Sequence, residues 1–169
     1  MYKIIITGPE SSGKTTLCKK LCSYYNLTYI EEFARTFFKE KESVYNQNDL
    51  LEIAKGQILI EKKTEIIDTD LITIKIWSEW KYGSCHPWIL EKIEKQKYDK
   101  RIYLLCKPDI PWKYDKLREN QYNRTELFKM YINELEILNH KYFIVDGNNR
   151  VKSSIEKISK IAFINNCNS

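Results

Sequence analysis

Gly8-Pro9-Glu10-Ser11-Ser12-Gly13-Lys14-Thr15 follows the apolar run Ile4-Ile5-Ile6. It meets the pattern G-x-x-x-x-G-K-[ST] at every fixed position. Two glycines, a lysine and a hydroxyl at this spacing suit a phosphate chain. Successive backbone N–H groups curl around phosphate oxygens, and a helix opening at Lys14 adds its positive end. Gly8 and Gly13 permit dihedrals and close approaches that a side chain would block. The phosphate-binding set is therefore Gly8, Glu10, Ser11, Ser12, Gly13, Lys14, Thr15 and Thr16. Lys14 reaches the terminal phosphates as a point charge, and Thr15 is a ligand for Mg²⁺. A nucleoside triphosphate, ATP, with Mg²⁺ is the expected cofactor pair.

A second station is Asp68-Thr69-Asp70, after the short apolar pair Ile66-Ile67. A carboxylate at a neighbouring strand end is where such sites hold the hydration shell of the metal. Asp68 suits that role, through water. Asp68 or Asp70 can accept the proton of a hydroxyl nucleophile, and the sequence does not choose between them. Asp70 is also a good helix N-cap. A third station is the stretch from Leu117-Arg118 to Arg124. Two arginines on a mobile connection can close over a triphosphate and exclude water; in a charged loop they can equally be solvated surface. Glu31-Glu32 ends a run of strand-forming residues, with Arg35 one turn on, and an acidic pair there suits sugar hydroxyls or a surface ion pair.

The elements that must position these stations alternate. Strands are predicted at Ile4–Ile6, Leu27–Ile30, Ile66–Ile67, Arg101–Cys106 and Lys141–Val145. Helices are predicted from Lys14 to about Asn26, Phe33 to Glu40, Asn48 or Asp49 to about Thr64, and from Asp70 to about Gly83. More follow over Pro87–Lys97, Thr125–Leu138 and Lys152–Phe163, with a loose tail from Asn165 to Ser169. This order predicts a three-layer α/β/α fold with a parallel five-stranded sheet, one domain over residues 1–169 and a lid at about 107–124. Ligands of such sheets bind beyond the carboxyl ends of the strands, where all three stations fall.

Composition narrows the class. Apolar residues make up 43% of the chain, enough for one packed core and too many for disorder. No run of about 18 apolar residues exists, so no membrane partner is expected. Met1-Tyr2-Lys3-Ile4 leads straight into a strand without signal-peptide features, which makes a cytoplasmic location the expectation. The five cysteines are scattered and form no C-x-x-C pair, so neither a metal cluster nor a disulfide framework is expected. Cys18 and Cys22, four apart on a helix, read as buried apolar residues. The net charge of +5 suits a phosphate-rich ligand, but no basic stripe with interleaved aromatics points to nucleic acid.

Together the stations resemble the ribosylnicotinamide kinase domain of the bacterial NAD-biosynthesis regulator NadR and its stand-alone relatives. The matching pieces are Gly8 to Leu17, Glu32-Phe33-Ala34-Arg35, Asp49, Ile53-Ala54, Gly56-Gln57 and Ile67-Asp68-Thr69-Asp70. His86-Pro87, Tyr103-Leu104-Leu105-Cys106, and Pro111-Trp112 with Asp115, Leu117 and Arg118 complete the order. The resemblance implies a P-loop kinase that moves the terminal phosphate of ATP to the 5′-hydroxyl of nicotinamide riboside, giving nicotinamide mononucleotide. It implies metal or base roles for Asp68 and Asp70, a catalytic lid role for Arg118 and Arg124, and substrate binding by Glu32 and Arg35. Trp112 is either a stacking surface for the pyridinium ring or a loop anchor.

Two residues depart from that pattern. Lys116 stands where the family often has a glycine in the lid. Lys75, one turn beyond Asp70, would repel a cationic base if it faced the pocket. With no HxGH-type motif, a separate adenylyltransferase is the expected partner in the pathway. A P-loop kinase for another nucleoside or nucleotide, and a nucleotide-binding regulatory module, are the alternatives.

Overall fold

Strand β1 (Lys3–Thr7) is buried along almost its whole length, as a central strand must be. In the computed structural model it pairs in parallel with β2 (Ile66–Asp68) on one side and β3 (Arg101–Cys106) on the other. Strand β4 (Lys141–Val145) adds in parallel to β3, giving the order β2-β1-β3-β4. The structure describes residues 2–39 and 45–167, with side chains to residue 161. The expected end of a helix at Glu40 and the last two residues of the expected tail lie outside the described residues.

Period-two alternation sorts the strand side chains onto two faces. Ile5, Ile67, Tyr103 and Leu105 meet helices α2 (Phe33–Lys39), α3 (Gln47–Glu61), α4 (Leu71–Tyr82), α5 (Pro87–Gln96) and α6 (Arg124–Ile137). Ile4, Ile6, Ile66, Ile102, Leu104 and Cys106 meet α1 (Lys14–Tyr24) and α7 (Arg150–Cys167). Helices therefore cover both faces, in the three layers expected. Each fully buried isoleucine or leucine in them contributes about 1.5–3 kcal/mol.

One expectation is corrected. The sheet has four strands, not five, among the described residues. Leu27–Ile30 carries no ladder. The adjacent edge strand β2 is only three residues long and is cut off at Thr69, whose φ is +64°. Leu27 and Tyr29 still pack against the core, so the apolar residues are used without strand pairing.

Helix ends follow local chemistry. Asn46, rather than Asn48 or Asp49, caps α3: its side chain accepts from the N–H groups of Asn48 and Asp49, and Asp49 answers the Asn46 N–H at 2.9 Å. Asp70 caps α4 and Gly83 ends it in the left-handed region. Pro87 opens α5. Helix α7 begins at Arg150 and runs to Cys167, through part of the expected tail.

Candidate active site

The loop between β1 and α1 forms one wall of an open cleft. Gly8, at φ +133°, lies so close to β3 that a Cβ would stand 2.5 Å from the Cys106 carbonyl oxygen. Gly13, at φ +85°, opens α1. No other residue type suits either position without strain. The Ser12 hydroxyl donates to the Pro9 carbonyl at 2.7 Å, and so does the Lys14 ammonium, also at 2.7 Å. The Lys14 pKa is lowered by burial, against the pull of Glu32 and Asp68.

Behind the loop, β2 ends in Asp68, which is 2% exposed. Tyr29 donates its hydroxyl to Asp68 Oδ2 at 3.1 Å, while Oδ1 is buried without a partner. Burial raises the Asp68 pKa, opposed by Lys14 and by hydrogen bonding from Thr15 and Tyr29. A buried carboxylate oxygen with no donor, beside a P-loop hydroxyl, is chemistry that fits a hydrated divalent cation or the proton of a hydroxyl. Thr15 and Asp68 are the residues that would hold Mg²⁺. Among the described residues no cluster of three or more histidine, cysteine or acidic side chains offers another metal site.

Across the cleft stand Glu32, Arg35 and Thr69, with Thr73 and Trp77 of α4 beyond them. Arg35 Nε lies 3.1 Å from Glu32, and its Nη1 donates to Asp115 at 3.0 Å. Thr69 donates to Glu32 at 3.3 Å. Burial, with the Asp68 charge close by, pushes the Glu32 carboxyl up to about 7. Gln57 ties the two acidic stations together. Its Oε1 accepts from Phe33 N at 3.0 Å, and its Nε2 donates to the Asp68 and Thr69 carbonyls. Gly56 beside it lets α3 close on Phe33, since a Cβ there would come 2.3 Å from the ring.

The connection between β3 and α6, the expected lid, reaches the cleft. Leu117 and Arg118 line the cleft, and Arg118 donates to the Lys113 carbonyl at 2.5 Å. Arg124 opens α6 and donates to the carbonyls of Ser11 and Ile110, bracing the phosphate loop from behind. Arg150 does the same from α7, donating to the Ser12 carbonyl at 2.8 Å and pairing with Asp109.

The structure thus gathers Lys14, Thr15, Glu32, Arg35 and Arg118 around one cleft, with Asp68 close behind Lys14 and Thr15, and sets Asp70, Trp112 and Arg124 outside the cleft wall. Asp70, fully buried, accepts from Tyr103 at 2.7 Å and from Ile72 N at 3.2 Å, and stands 3.7 Å from Arg101. It is a helix cap inside the core, not a wall of the cleft. Trp112 also lies outside the cleft wall, with the Arg124 guanidinium 5.8 Å from its ring, so it anchors the lid. The Glu10 carboxylate points to lid amides rather than into the loop. Lys75 does not line the cleft; Glu134 at 2.5 Å and Glu79 at 3.7 Å hold it.

Sequence reasoning missed Trp77 and Arg150, and gave Gln57 no role beyond its place in the family pattern. Trp77 had a signal: it follows Thr73 by four residues, which is one face of a helix. Gln57 and Arg150 act by long-range contacts to backbone carbonyls, which leave no local pattern.

A family model described as an AAA domain matches residues 3–151. The chain is 28% identical over 156 residues to the trifunctional NAD biosynthesis/regulator protein NadR of Escherichia coli K12. It is 29% identical over 126 residues to the protein of the same name in Salmonella typhimurium LT2. Those alignments cover 85% and 68% of this chain but only 38% and 30% of the relatives, so the chain spans well under half their length. A crystal structure described as NadR protein in complex with NR superposes with a TM-score of 0.66 at 19% identity, over 88% of this chain and 45% of that one. That likeness establishes the α/β fold. No helix among the described residues is long and apolar enough to cross a membrane.

Proposed function

The chain belongs to the AAA-domain family, and from that premise we propose that it is an ATP-dependent kinase. Its acceptor is the 5′-hydroxyl of nicotinamide riboside and its product nicotinamide mononucleotide. One observation carries the reading. The buried Asp68, its Oδ1 unpartnered, stands close to Lys14, Thr15 and Glu32, which line a cleft between a phosphate-binding loop and a second wall made of a carboxylate, a guanidinium and an indole. That second wall suits a ribosylated cation. The Glu32 carboxylate and the Arg35 guanidinium suit ribose hydroxyls, and Trp77 offers a π-face to a pyridinium ring. The neutralised Lys75 removes the repulsion that a free ammonium would cause.

The residues divide the work. Gly8 to Thr16 hold the phosphate chain with backbone N–H groups and the α1 N-terminus. Lys14 gives up the Pro9 carbonyl and meets the moving phosphoryl group. Bound Mg²⁺ supplies charge neutralisation of the phosphate oxygens. Asp68 takes the proton of the attacking hydroxyl, a role its raised pKa favours. Arg118 covers the cleft and keeps water from competing. Catalysis rests on positioning and electrostatics, without a covalent enzyme intermediate.

The test is product formation from Mg-ATP with nicotinamide riboside, cytidine, uridine and thymidine in parallel. Nicotinamide mononucleotide at roughly 1–100 s⁻¹, with the other acceptors slow, is the expected result. Transfer to another nucleoside would move the acceptor. Nucleotide binding without transfer to any of them would make the chain a regulatory nucleotide-binding module.

A further inference from the structure

A carboxylate inside a loop that wraps a polyphosphate is an electrostatic contradiction, and the way the fold resolves it carries information. Glu10 is 8% exposed, yet its charge is spent on the lid. Oε2 accepts from the backbone N–H groups of Glu119 at 3.0 Å and Asn120 at 2.8 Å, and Oε1 accepts from the Asn120 side-chain amide at 3.3 Å. Ser11, the next residue, takes the other end of the same segment: its hydroxyl accepts from Lys113 N at 2.9 Å. Two consecutive residues of the phosphate loop therefore hold both ends of the stretch that carries Arg118.

The opposite side of that stretch is fixed from α4. Trp80 donates to the Asn120 side chain at 2.9 Å, and Lys81 pairs with Glu119 at 2.9 Å. The turn at 119–120 thus spans from the phosphate wall to the helix that carries Trp77. Its backbone answers to Glu10, and its side chains answer to α4, with the Asn120 amide reaching Glu10 as well. Both anchors are charge-assisted, but Glu10 is buried whereas the Lys81–Glu119 pair is largely exposed and screened, so the anchor at Glu10 is the firmer of the two.

We propose that Glu10 is a positioning residue of the lid: its carboxylate latches the 119–120 turn to the phosphate loop and so holds Arg118 over the cleft. The latch sets whether the phosphoryl group passes to the acceptor or to water. The second statement rests on the kinase reading; the first does not.

The closing experiment has two arms. In the free full chain, amide-resolved hydrogen exchange compares wild type with Glu10→Ala and Glu10→Gln. The amides of Glu119 and Asn120 should exchange at least about tenfold faster in Glu10→Ala. They should exchange at an intermediate rate in Glu10→Gln, which keeps an acceptor oxygen. Amides of β1 and β3 should not change. With Mg-ATP and nicotinamide riboside, the ratio of ATP hydrolysis to transfer should rise about tenfold in Glu10→Ala and recover in part in Glu10→Gln. A general loss of stability would lower both reactions and leave that ratio alone. Unchanged exchange at Glu119 and Asn120 overturns the latch. Faster exchange with an unchanged ratio overturns its role in the reaction. Should Glu10→Ala loosen β1 and β3 as well, Glu10→Gln decides: its two lid amides must still exchange faster than in wild type, or the latch is overturned. If wild type transfers to no acceptor, the kinase reading fails, and the exchange arm still decides the latch.

Discussion

Asp68 and Asp70 are two residues apart, both almost fully buried, and both raised in pKa chiefly by that burial. Their surroundings have opposite purposes. Asp70 is enclosed by Tyr103, the N-terminus of α4 and Arg101, which also pairs with Glu61 at 2.6 Å. Asp68 keeps one oxygen without any donor, next to the cleft. Thr69 separates them by taking a left-handed conformation at φ +64°, which ends β2 and turns the next residue under the sheet. A buried carboxylate with its partners is a stabilising element, and one with a spare lone pair is a reactive element. A single backbone turn sorts two identical side chains into these two classes.

The largest effect expected is the split between these two. Asp68→Asn should lower kcat by about 10²–10³-fold at nearly unchanged stability. Asp70→Asn should destabilise by about 1–3 kcal/mol in urea unfolding, through a weakened buried network, and leave turnover of the folded fraction near wild type. Equal losses of turnover in both would break the comparison. Next in size is Gly56→Ala. The added methyl meets the Phe33 ring, should cost about 1–3 kcal/mol, and should raise KM by shifting Glu32 and Arg35; thermal melts and steady-state kinetics report both.

Third comes the pair of tryptophans. Trp77→Ala should raise KM for nicotinamide riboside about tenfold, whereas Trp112→Ala should change it by less than about twofold. The smallest effect concerns pH. Burial pushes Glu32 and Glu61 up to about 7, from an ordinary 4.5. A carboxyl with a raised folded value binds its proton more tightly in the native state. Its contribution is therefore full below the unfolded value and is lost as pH rises through about 7. Burial lowers His140 from 6.5 to about 4, so His140 acts oppositely and costs stability as pH falls from 6.5 towards 4. Tm of the free protein should decline as pH rises from about 4.5 to about 7, the two carboxyls outweighing His140 in that window, and Glu32→Gln should flatten that decline.

Much of this arrangement is legible in the residue order. The phosphate loop announces itself because its chemistry is local: fixed glycines, a lysine and a hydroxyl on consecutive positions. Strands β1 and β3 show as continuous apolar runs because both faces of the sheet are covered. What stays hidden depends on distant partners. Leu27–Ile30 has strand composition, but its ladder needed a longer β2. Asp70 and Asp68 look interchangeable until Thr69 is seen to turn. Trp112 stands out in the sequence, and Trp77 comes forward only when the face of α4 is fixed by its packing on α3 and α6. Gln57 reads as an ordinary helix residue, since nothing nearby says that it will bind two carbonyls beside the cleft.

The bond from Lys14 to the Pro9 carbonyl carries one more consequence. The phosphate loop already has an internal substitute for its ligand, so nucleotide capture is an exchange and not an addition. Part of the attraction between ammonium and phosphate offsets the bond given up, which moderates affinity and eases product departure. Because burial lowers the Lys14 pKa before the phosphates arrive, and their charge favours the ammonium afterwards, capture at alkaline pH should draw protons from solution. Calorimetry of ATP binding in buffers of different ionisation enthalpy would then yield different heats for the same event.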